Sequence, residues 1–467
     1  MKINLGDLTC IITFESKQEE KIIKSSLTFK DDKNAFFGGK FHPERVRDVC
    51  MGKDIRGYFV CFAGLMKEIV ITAKNNGIKI TEFIDKRTHF PFQKKDYTHD
   101  ELRKYFNPNF KYVEHQIRTL QAMIKTNTGI CKAPTSAGKS SIMSAYIRLI
   151  NMPTLILVNK VTLGLQLRET FQKDGIDCGI CSGKGVVDGK CMVSTIQSVH
   201  KIGDLTRFEC VLLDECHNGS ASQFQDFFKQ FGCPLKFGFS ASPFRNNDYL
   251  GFAKIRQFIG SIIIDIDSRE LLENEVMAKP HIYLIKNECK EDEYFDYQTA
   301  YSEEIVNSER RNNIVKNICD KYGSGILIVV NIVEHGQLLE KMIPGSVFIS
   351  GETSIEDRQK YIKAFDEEML PVLIGSTILQ EGISITHMKA MILACGGKSN
   401  ISILQKIGRS LRYKAGEKTE VDYYDFIDTA KFLSKHSKMR VSLYKKNGFT
   451  DMHLLDSDLN EIKKDAS

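Results

Sequence analysis

The stretch Ala133-Pro134-Thr135-Ser136-Ala137-Gly138-Lys139-Ser140 restricts this 467-residue chain more than any other. An apolar run, Gly129 to Cys131, leads into it, and a helix-like segment, Ser141 to Ile150, leads out. A glycine-containing loop between a strand and a helix is a setting in which backbone N–H groups turn inward onto phosphate oxygens. Gly138 and the small residues before it leave room for that approach. Lys139 then reaches the outer phosphates, and the Ser140 hydroxyl can hold a divalent cation. Ala133 stands where such loops commonly carry glycine, and taken alone the pattern also fits an ordinary turn before a buried helix.

A chain this long exceeds one hydrophobic core, and its length predicts about three domains. Hydrophobic residues make up 42% and charged residues 27%, the proportions of a globular protein. No apolar run approaches the ~20 residues that span a bilayer. Met1 to Asp7 carries an early acid and no apolar core of signal-peptide length. The expectation is an intracellular, cytoplasmic protein with no membrane partner. Its 13 cysteines are odd in number and scattered among apolar neighbours, which predicts reduced thiols and no disulfide framework. The pair Cys178 and Cys181 has no second pair at zinc spacing. The net charge of +6 permits nucleic acid without demanding it. Residues 1–104 hold 20 Lys and Arg against 15 Asp and Glu, and further basic residues crowd Lys398 to Lys446. There is no Trp, so any base stacking falls to Tyr, Phe, His or Arg.

The fold class predicted is α/β, and four segments follow from the patterning. Residues 1–95 form a small α/β unit, with strands within Lys2 to Phe14 and Gly57 to Ala63 and a helix from Leu65 that stops at Gly77. Gln93 to Asp100 is expected to be a polar linker. Residues 105–275 alternate strands and helices, with strands at Gly129–Lys132, Thr154–Val158, Cys191–Val193, Val211–Leu213 and Lys236–Phe239. Residues 276–450 repeat the alternation, with strands at His281–Ile285, Ile326–Val330, Val347–Ile349, Val372–Ile374, Ala390–Leu393 and Val421–Asp425. An acidic insertion, Glu288 to Glu304, precedes the helix Ile305 to Asp320. Residues 451–467 read as a polar tail. Such alternation predicts parallel sheets wrapped by helices, with functional residues at the carboxyl ends of strands.

Two further motifs bear on chemistry. In Val211-Leu-Leu-Asp214-Glu215-Cys216-His217 a buried strand gives out onto two carboxylates. Neighbouring strand residues point opposite ways, so both acids can face one ligand only where the strand ends. Asp214 can hold a metal ion, and Glu215 can orient and deprotonate an attacking water. In Gln405-Lys-Ile-Gly-Arg409-Ser-Leu-Arg412 the two arginines are three apart and share a helical face. They can serve as ion-pair partners, or neutralise charge that develops on a transferred phosphoryl group.

Taken together these motifs resemble those of superfamily 2 helicases of the DExH kind, from about Glu114 onward and in that family's order. Gln116, 23 residues before Lys139, matches the adenine-reading glutamine, although His115 precedes it where an aromatic is usual. Leu157 to Lys160 resembles motif Ia, with Asn159-Lys160 replacing the common Pro-Thr. Ser194-Thr195-Ile196-Gln197 resembles the next strand-gripping motif. His217 closes the Asp-Glu-Cys-His motif, and Ser240-Ala241-Ser242 resembles the motif that couples hydrolysis to lobe movement. Ser350 with Arg358 fits motif IV. Thr377 and Gly382 fit motif V, where Ser384 replaces a frequent Asp. Gln405, Arg409 and Arg412 fit motif VI. Within the superfamily the run Pro134 to Ser140, Gly382-Ile-Ser384 and Gly397-Lys-Ser399 resemble the phage UvsW-type recombination helicases, which are functionally similar to RecG.

The resemblance implies two RecA-like lobes after a small α/β domain, with ATP and Mg²⁺ as cofactors. Its implied catalytic residues are Lys139, Asp214, Glu215, Gln405, Arg409 and Arg412. Those for the nucleotide are Gln116, Pro134, Thr135, Ser136, Ala137, Gly138, Lys139, Ser140 and Gly382. Ser140 and Asp214 hold the metal, and His217, Ser240 and Ser242 couple hydrolysis to movement. Lys160, Thr195, Gln197, Ser350, Arg358 and Thr377 contact nucleic acid. The function implied is ATP-dependent remodelling of branched or forked DNA, duplex and single strand, with little sequence preference and by a monomer. In the UvsW type the first 95 residues imply a duplex-DNA contact. Two alternatives stand beside it: an RNA helicase of the same superfamily, and an ATP-gated clamp that grips without sustained translocation.

Overall fold

The structure, a computed structural model, describes residues 1–32, 35–37, 40–108, 114–134, 137–220, 222–244, 248–274, 280–289, 294–376, 388–397, 420–446 and 448–462. The chain divides into two compact units, Met1–Ile266 and Asp267–Ser467.

The first unit contains two principal sheets. Its amino-terminal sheet runs Gly52–Ile55, Tyr58–Phe62, Thr9–Thr13, Lys2–Leu5, Glu82–Asp85. All its pairings are antiparallel except that of Lys2–Leu5 with Glu82–Asp85. Alternation in these strands places Ile3, Leu5, Cys10, Ile12, Phe59 and Cys61 on one buried face. The helices Lys17–Ser26 and Met66–Asn75 cover it with Ile23, Ile69 and Ala73. The second helix stops short of Gly77, whose φ of 68° suits glycine.

The larger sheet has eight strands in the order Gly185–Val187, Cys178–Ser182, Cys191–Thr195, Thr154–Val158, Cys210–Asp214, Leu235–Ser240, Thr128–Lys132, Ile262–Asp265. All but the first are parallel to their neighbours. Continuous apolar runs suit a sheet buried on both faces, and the period of two sorts them. Ile156, Val193, Leu212 and Phe237 enter one core, while Leu155, Met192, Val211 and Leu213 enter the other. Cys178 and Cys181 lie in opposite cores, so they share no site.

The two sheets are joined through the helix Tyr249–Ile259. Leu250 and Ala253 pack into the amino-terminal core, Phe62 meets Phe258 at 4.3 Å between ring centroids, and Arg256 pairs with Glu68. A Cβ on Gly64 would lie 2.1 Å from the Arg256 carbonyl oxygen, so only glycine permits that approach. Lys236 is 1% exposed and donates from Nζ to the carbonyls of Asp7 (2.8 Å) and Cys233 (2.6 Å). Burial pulls its ammonium below the usual lysine range.

The expected linker is corrected. Pro91–Lys94 forms a 3-10 turn, Phe90, Leu102 and Phe106 enter the core of the larger sheet, and Gln93 bonds Asn127 at 3.0 Å. Its average polarity hid aromatic residues spaced among lysines.

In the second unit seven strands, all parallel, run Ser346–Ile349, Val372–Gly375, Ile326–Val329, Ala390–Leu393, Val421–Asp428, Pro280–Asn287, Met452–Leu455. At the carboxyl ends, two fully buried arginines meet two aspartates. Arg311 Nη1 donates to Asp428 (2.6 Å), and Arg440 Nε donates to Asp425 (2.8 Å). Arg311 Nε and Arg440 Nη1 also donate to the carbonyls of Ala394 and Gly397, which follow the strand Ala390–Leu393. The polar tail is corrected as well, since Met452–Leu455 forms the edge strand beside Pro280–Asn287. Hydrogen bonds join Asp451 to His281 (2.6 Å) and to His453 (2.8 Å), whose other ring nitrogen meets Glu461 (2.8 Å).

Candidate nucleotide site

Cys210–Asp214, Leu235–Ser240 and Thr128–Lys132 are adjacent and parallel. Their carboxyl ends deliver Asp214 with Glu215, Ser240, and the loop from Ala133 to one edge, where open α/β sheets bind ligands. The Ala133 N–H donates to the Ser240 carbonyl at 3.0 Å and fixes the loop to the sheet. Gly138 adopts φ 75° as the N-cap of the helix Lys139–Ile150. That backbone conformation favours glycine, and a Cβ there would lie 2.2 Å from Gln116 Nε2 and push its amide aside. The helix opens with Lys139 and Ser140, whose N–H groups lie at the positive end of its dipole.

Lys139 Nζ lies 2.8 Å from Glu215 Oε1, with the two side chains 6% and 15% exposed. Glu215 has φ 51°, a left-handed conformation costly for a non-glycine residue and common at functional sites. The reversal turns the chain out of the strand and into the short 3-10 helix Cys216–Ser220. His217 Nδ1 lies 2.9 Å from Ser240 Oγ and 3.2 Å from Glu215 Oε2. Asn218 Nδ2 lies 3.0 Å from His217 Nε2, which places the ring proton on Nδ1. Burial would raise the Glu215 carboxyl, but the Lys139 charge and the His217 hydrogen bond outweigh it and hold the group well below the usual carboxylate range. Glu215 is therefore an ionised acceptor beside the Lys139 side chain. A Cβ on Gly238 would meet the Cys216 Cβ at 2.7 Å, which lets this turn press against the neighbouring strand.

Other expected residues fall in three sets. Ala137, Gln116 and Ser242 join the cluster: His115 Nε2 and Gln116 Nε2 meet the Ala137 carbonyl at 2.9 and 3.4 Å, and the Ser242 N–H donates to Ser240 Oγ. Gln116 is packed on the loop and 8% exposed. Pro134 precedes Thr135 and Ser136, which lie outside the described residues. Lys160 and Gln197 are exposed at the carboxyl ends of Thr154–Val158 and Cys191–Thr195. Thr195 is buried, and its hydroxyl donates to Ser198 Oγ at 3.1 Å, a bond that a backbone contact through Oγ1 would have to open.

In the second unit Ser350 follows Ser346–Ile349 and accepts from the Glu352 N–H. Arg358 donates to the Thr353 carbonyl at 3.2 Å. Thr377, Gly382, Ser384, Gln405, Arg409 and Arg412 lie outside the described residues. His115 and Asn218 are members of the first cluster that the motifs alone did not single out.

Ser140 and Asp214, at the carboxyl edge of the same sheet, are hard oxygen donors of the kind that suits a magnesium-like cation. The Gly-Lys-Ser loop, the acidic strand end and the parallel sheets together define a P-loop protein of the helicase class. The family model "Type III restriction enzyme, res subunit" matches residues 109–245, and "Helicase conserved C-terminal domain" matches 288–414. The chain belongs to superfamily 2 of the helicases, a family that uses a nucleotide and a divalent metal.

It is 27% identical over 338 residues to the ATP-dependent DNA helicase uvsW of Enterobacteria phage T4, covering 64% of this chain and 65% of that one. To the DNA 3'-5' translocase XPB2 of Sulfurisphaera tokodaii it is 22% identical over 350 residues, 65% of this chain and 79% of the relative. The match spans less than two thirds of the phage relative and of a second viral helicase relative. In fold it is similar to Saccharomyces cerevisiae Dbp5 bound to RNA and ADP BeF3, with a TM-score of 0.57, 17% identity, and 78% and 96% of the two chains covered.

Proposed function

We propose that this chain is an ATP-dependent DNA helicase or translocase that remodels branched DNA by branch migration, fork reversal or removal of paired RNA. The observation that carries the reading is the Lys139–Glu215 pair at 2.8 Å, reached from the two strands that flank Leu235–Ser240 and bonded through His217 to Ser240. Lys139 and the N–H groups of Gly138 to Ser140 hold the β- and γ-phosphates of ATP. Ser140 and Asp214 would hold Mg²⁺, which would supply positive charge to the transferred phosphoryl group. Glu215 orients the attacking water and takes its proton. His217, bonded to Ser240, passes the change at the carboxylate to the neighbouring strand. Arg409 and Arg412 supply positive charge to the γ-phosphoryl group, and Gln405 supports them. Gln116 reads the adenine. Lys160, Gln197, Ser350, Arg358 and Thr377 grip phosphates, a mode that positions a strand without reading sequence.

DNA as the polymer is supported by relatives named a DNA helicase and a DNA translocase. The test is steady-state ATP hydrolysis with single-stranded, duplex, forked and four-way DNA and with structured RNA. Stimulation is expected to be greatest on forked or four-way DNA. Equal or greater stimulation by RNA favours the RNA helicase, and nucleic-acid binding without turnover favours the clamp. Lys139→Ala should abolish hydrolysis, and normal turnover in that variant refutes the site. Arg409→Ala should bind ATP yet hydrolyse it at least 10³-fold more slowly.

A further inference from the structure

The helix Lys431–Lys446 carries a charge pattern that none of the helicase motifs uses. Its 16 residues include Lys431, Lys435, Lys438, Arg440, Lys445 and Lys446, and no Asp or Glu. One helix thus holds a surplus of six positive charges, equal to the formal net charge of the whole chain. The charges are not distributed evenly around it. Leu433, Ser437, Arg440 and Tyr444, spaced four, three and four apart, are buried. On the opposite side Lys431, Lys435, Lys438, Ser442 and Lys445 recur at four, three, four and three, and all are exposed. Arg440 belongs to the buried side, where it pairs with Asp425.

Folding alone gives these lysines little reason to share a face. Lys431 with Lys435 and Lys435 with Lys438 are like charges at helical-neighbour spacing, which weakens a helix. Lys431 also stands at the helix's first position, where the macrodipole disfavours a cation. Among the described residues no carboxylate lies within ion-pair distance of any of the five lysines. Lys435 and Lys438 line a surface groove with Ser434, Met439 and Ser442, and the Ser442 hydroxyl adds a neutral donor beside the ammonium groups. From Lys431 to Lys445 the row is about 21 Å long at 1.5 Å per residue. A duplex strand advances about 3.4 Å per phosphate, so the row matches a polyanion of regular spacing better than a compact acid. The helix begins just after the strand Val421–Asp428 ends. Its first lysine therefore lies at the same carboxyl edge of the sheet as Ser350.

We infer that the lysine face of the helix Lys431–Lys446 is a tracking surface for a nucleic-acid phosphate backbone. It extends the second unit's contact beyond the residues of motifs IV and V. The inference rests on the nucleic-acid reading above and locates a contact that reading lacks. Because ammonium groups meet phosphates as point charges, the surface adds affinity and salt dependence without sequence preference.

The test uses the full chain with Lys431, Lys435, Lys438 and Lys445 all changed to Gln. All four side chains are exposed, so the fold should persist, with an unchanged thermal midpoint and unchanged nucleic-acid-independent ATP hydrolysis. Fluorescence anisotropy with labelled duplex and single-stranded DNA, from 50 to 200 mM NaCl, reads affinity and its salt slope. The variant should bind at least tenfold more weakly at 100 mM salt. Its log–log slope should be shallower by about two to four, at ~0.7–0.9 per phosphate released. If the unchanged protein binds while the variant keeps its affinity and slope, the lysine face carries no backbone. If the unchanged protein binds no nucleic acid at 50 mM salt, the functional reading itself fails. Competition by polyglutamate as strong as by DNA of equal charge, lost in the variant, would assign the face to an acidic protein and overturn the inference.

Discussion

Lys139 and Glu215 neutralise one another where little water reaches, so changing either removes the opposite charge beside the other. Glu215→Gln keeps the shape and removes the base, and turnover should fall by 10² to 10⁴ while nucleotide still binds. Equilibrium binding and single-turnover hydrolysis separate the two effects, and unaltered turnover refutes the role. The same pair sets an acid limit on stability. With its folded value held below the ordinary 4.5, Glu215 contributes stability that is present above that pH. That stability drains away as pH falls through the depressed value. Lys139→Met removes the charge that most opposes the burial of Glu215, so the acid unfolding midpoint followed by near-UV circular dichroism should move upward. An unmoved midpoint would assign acid unfolding to other groups. Gly138, Lys139 and Glu215 were legible in the sequence because phosphate chemistry needs those residue types at fixed positions in a strand–loop–helix frame. His115 and Asn218 were not, since their partners are a carbonyl and an imidazole that only the folded chain brings near.

Among elements, the long apolar strands could be read directly, and Thr154–Val158 and Ala390–Leu393 agree with the pattern to the residue. Cys178–Ser182 and Met452–Leu455 escaped for different reasons. The first is interrupted by a glycine, whose absent side chain admits the backbone of Val187 and Asp188. The second alternates around a histidine and lies at a sheet edge. That edge strand carries a pH dependence of its own. The Glu461 hydrogen bond, with Asp451 in support, raises the His453 imidazole above 6.5. Its contribution is full below that value and is lost as pH climbs through the raised folded value. Amide protection of Met452–Leu455 should therefore fall above neutrality, and His453→Gln should flatten the dependence. Protection equal at pH 6 and 8.5 would show the imidazole to be idle. Beneath the same sheet, Arg440→Met leaves Asp425 buried with the Tyr444 hydroxyl but no cation. The change should cost about 3–5 kcal/mol in chemical unfolding of the second unit.

For the molecule as a whole, the first 85 residues form a sheet of their own yet are built into the first unit. Deleting residues 1–86 would uncover Leu250, Ala253 and Phe258 and leave the Lys236 ammonium without its Asp7 carbonyl. The shortened chain should aggregate or lose its cooperative melting transition; a soluble chain melting as the intact one does would contradict this. Loss of DNA binding after such a deletion would consequently say little about where DNA touches. Apolar patterning predicted a small α/β unit but not this attachment, because a carbonyl-bound lysine and a glycine contact leave no periodic trace.

The strand Leu235–Ser240 has Lys236 at one end, bonded to the Asp7 carbonyl in the turn between Lys2–Leu5 and Thr9–Thr13, and Ser240 at the other, bonded to His217 and Ala133. About 13 Å of fully extended backbone separates them. Extended chain has almost no slack, so it behaves as a stiff tie bar under tension. A displacement of the turn that carries Asp7 is thereby passed along this strand to Ser240 and its partner His217.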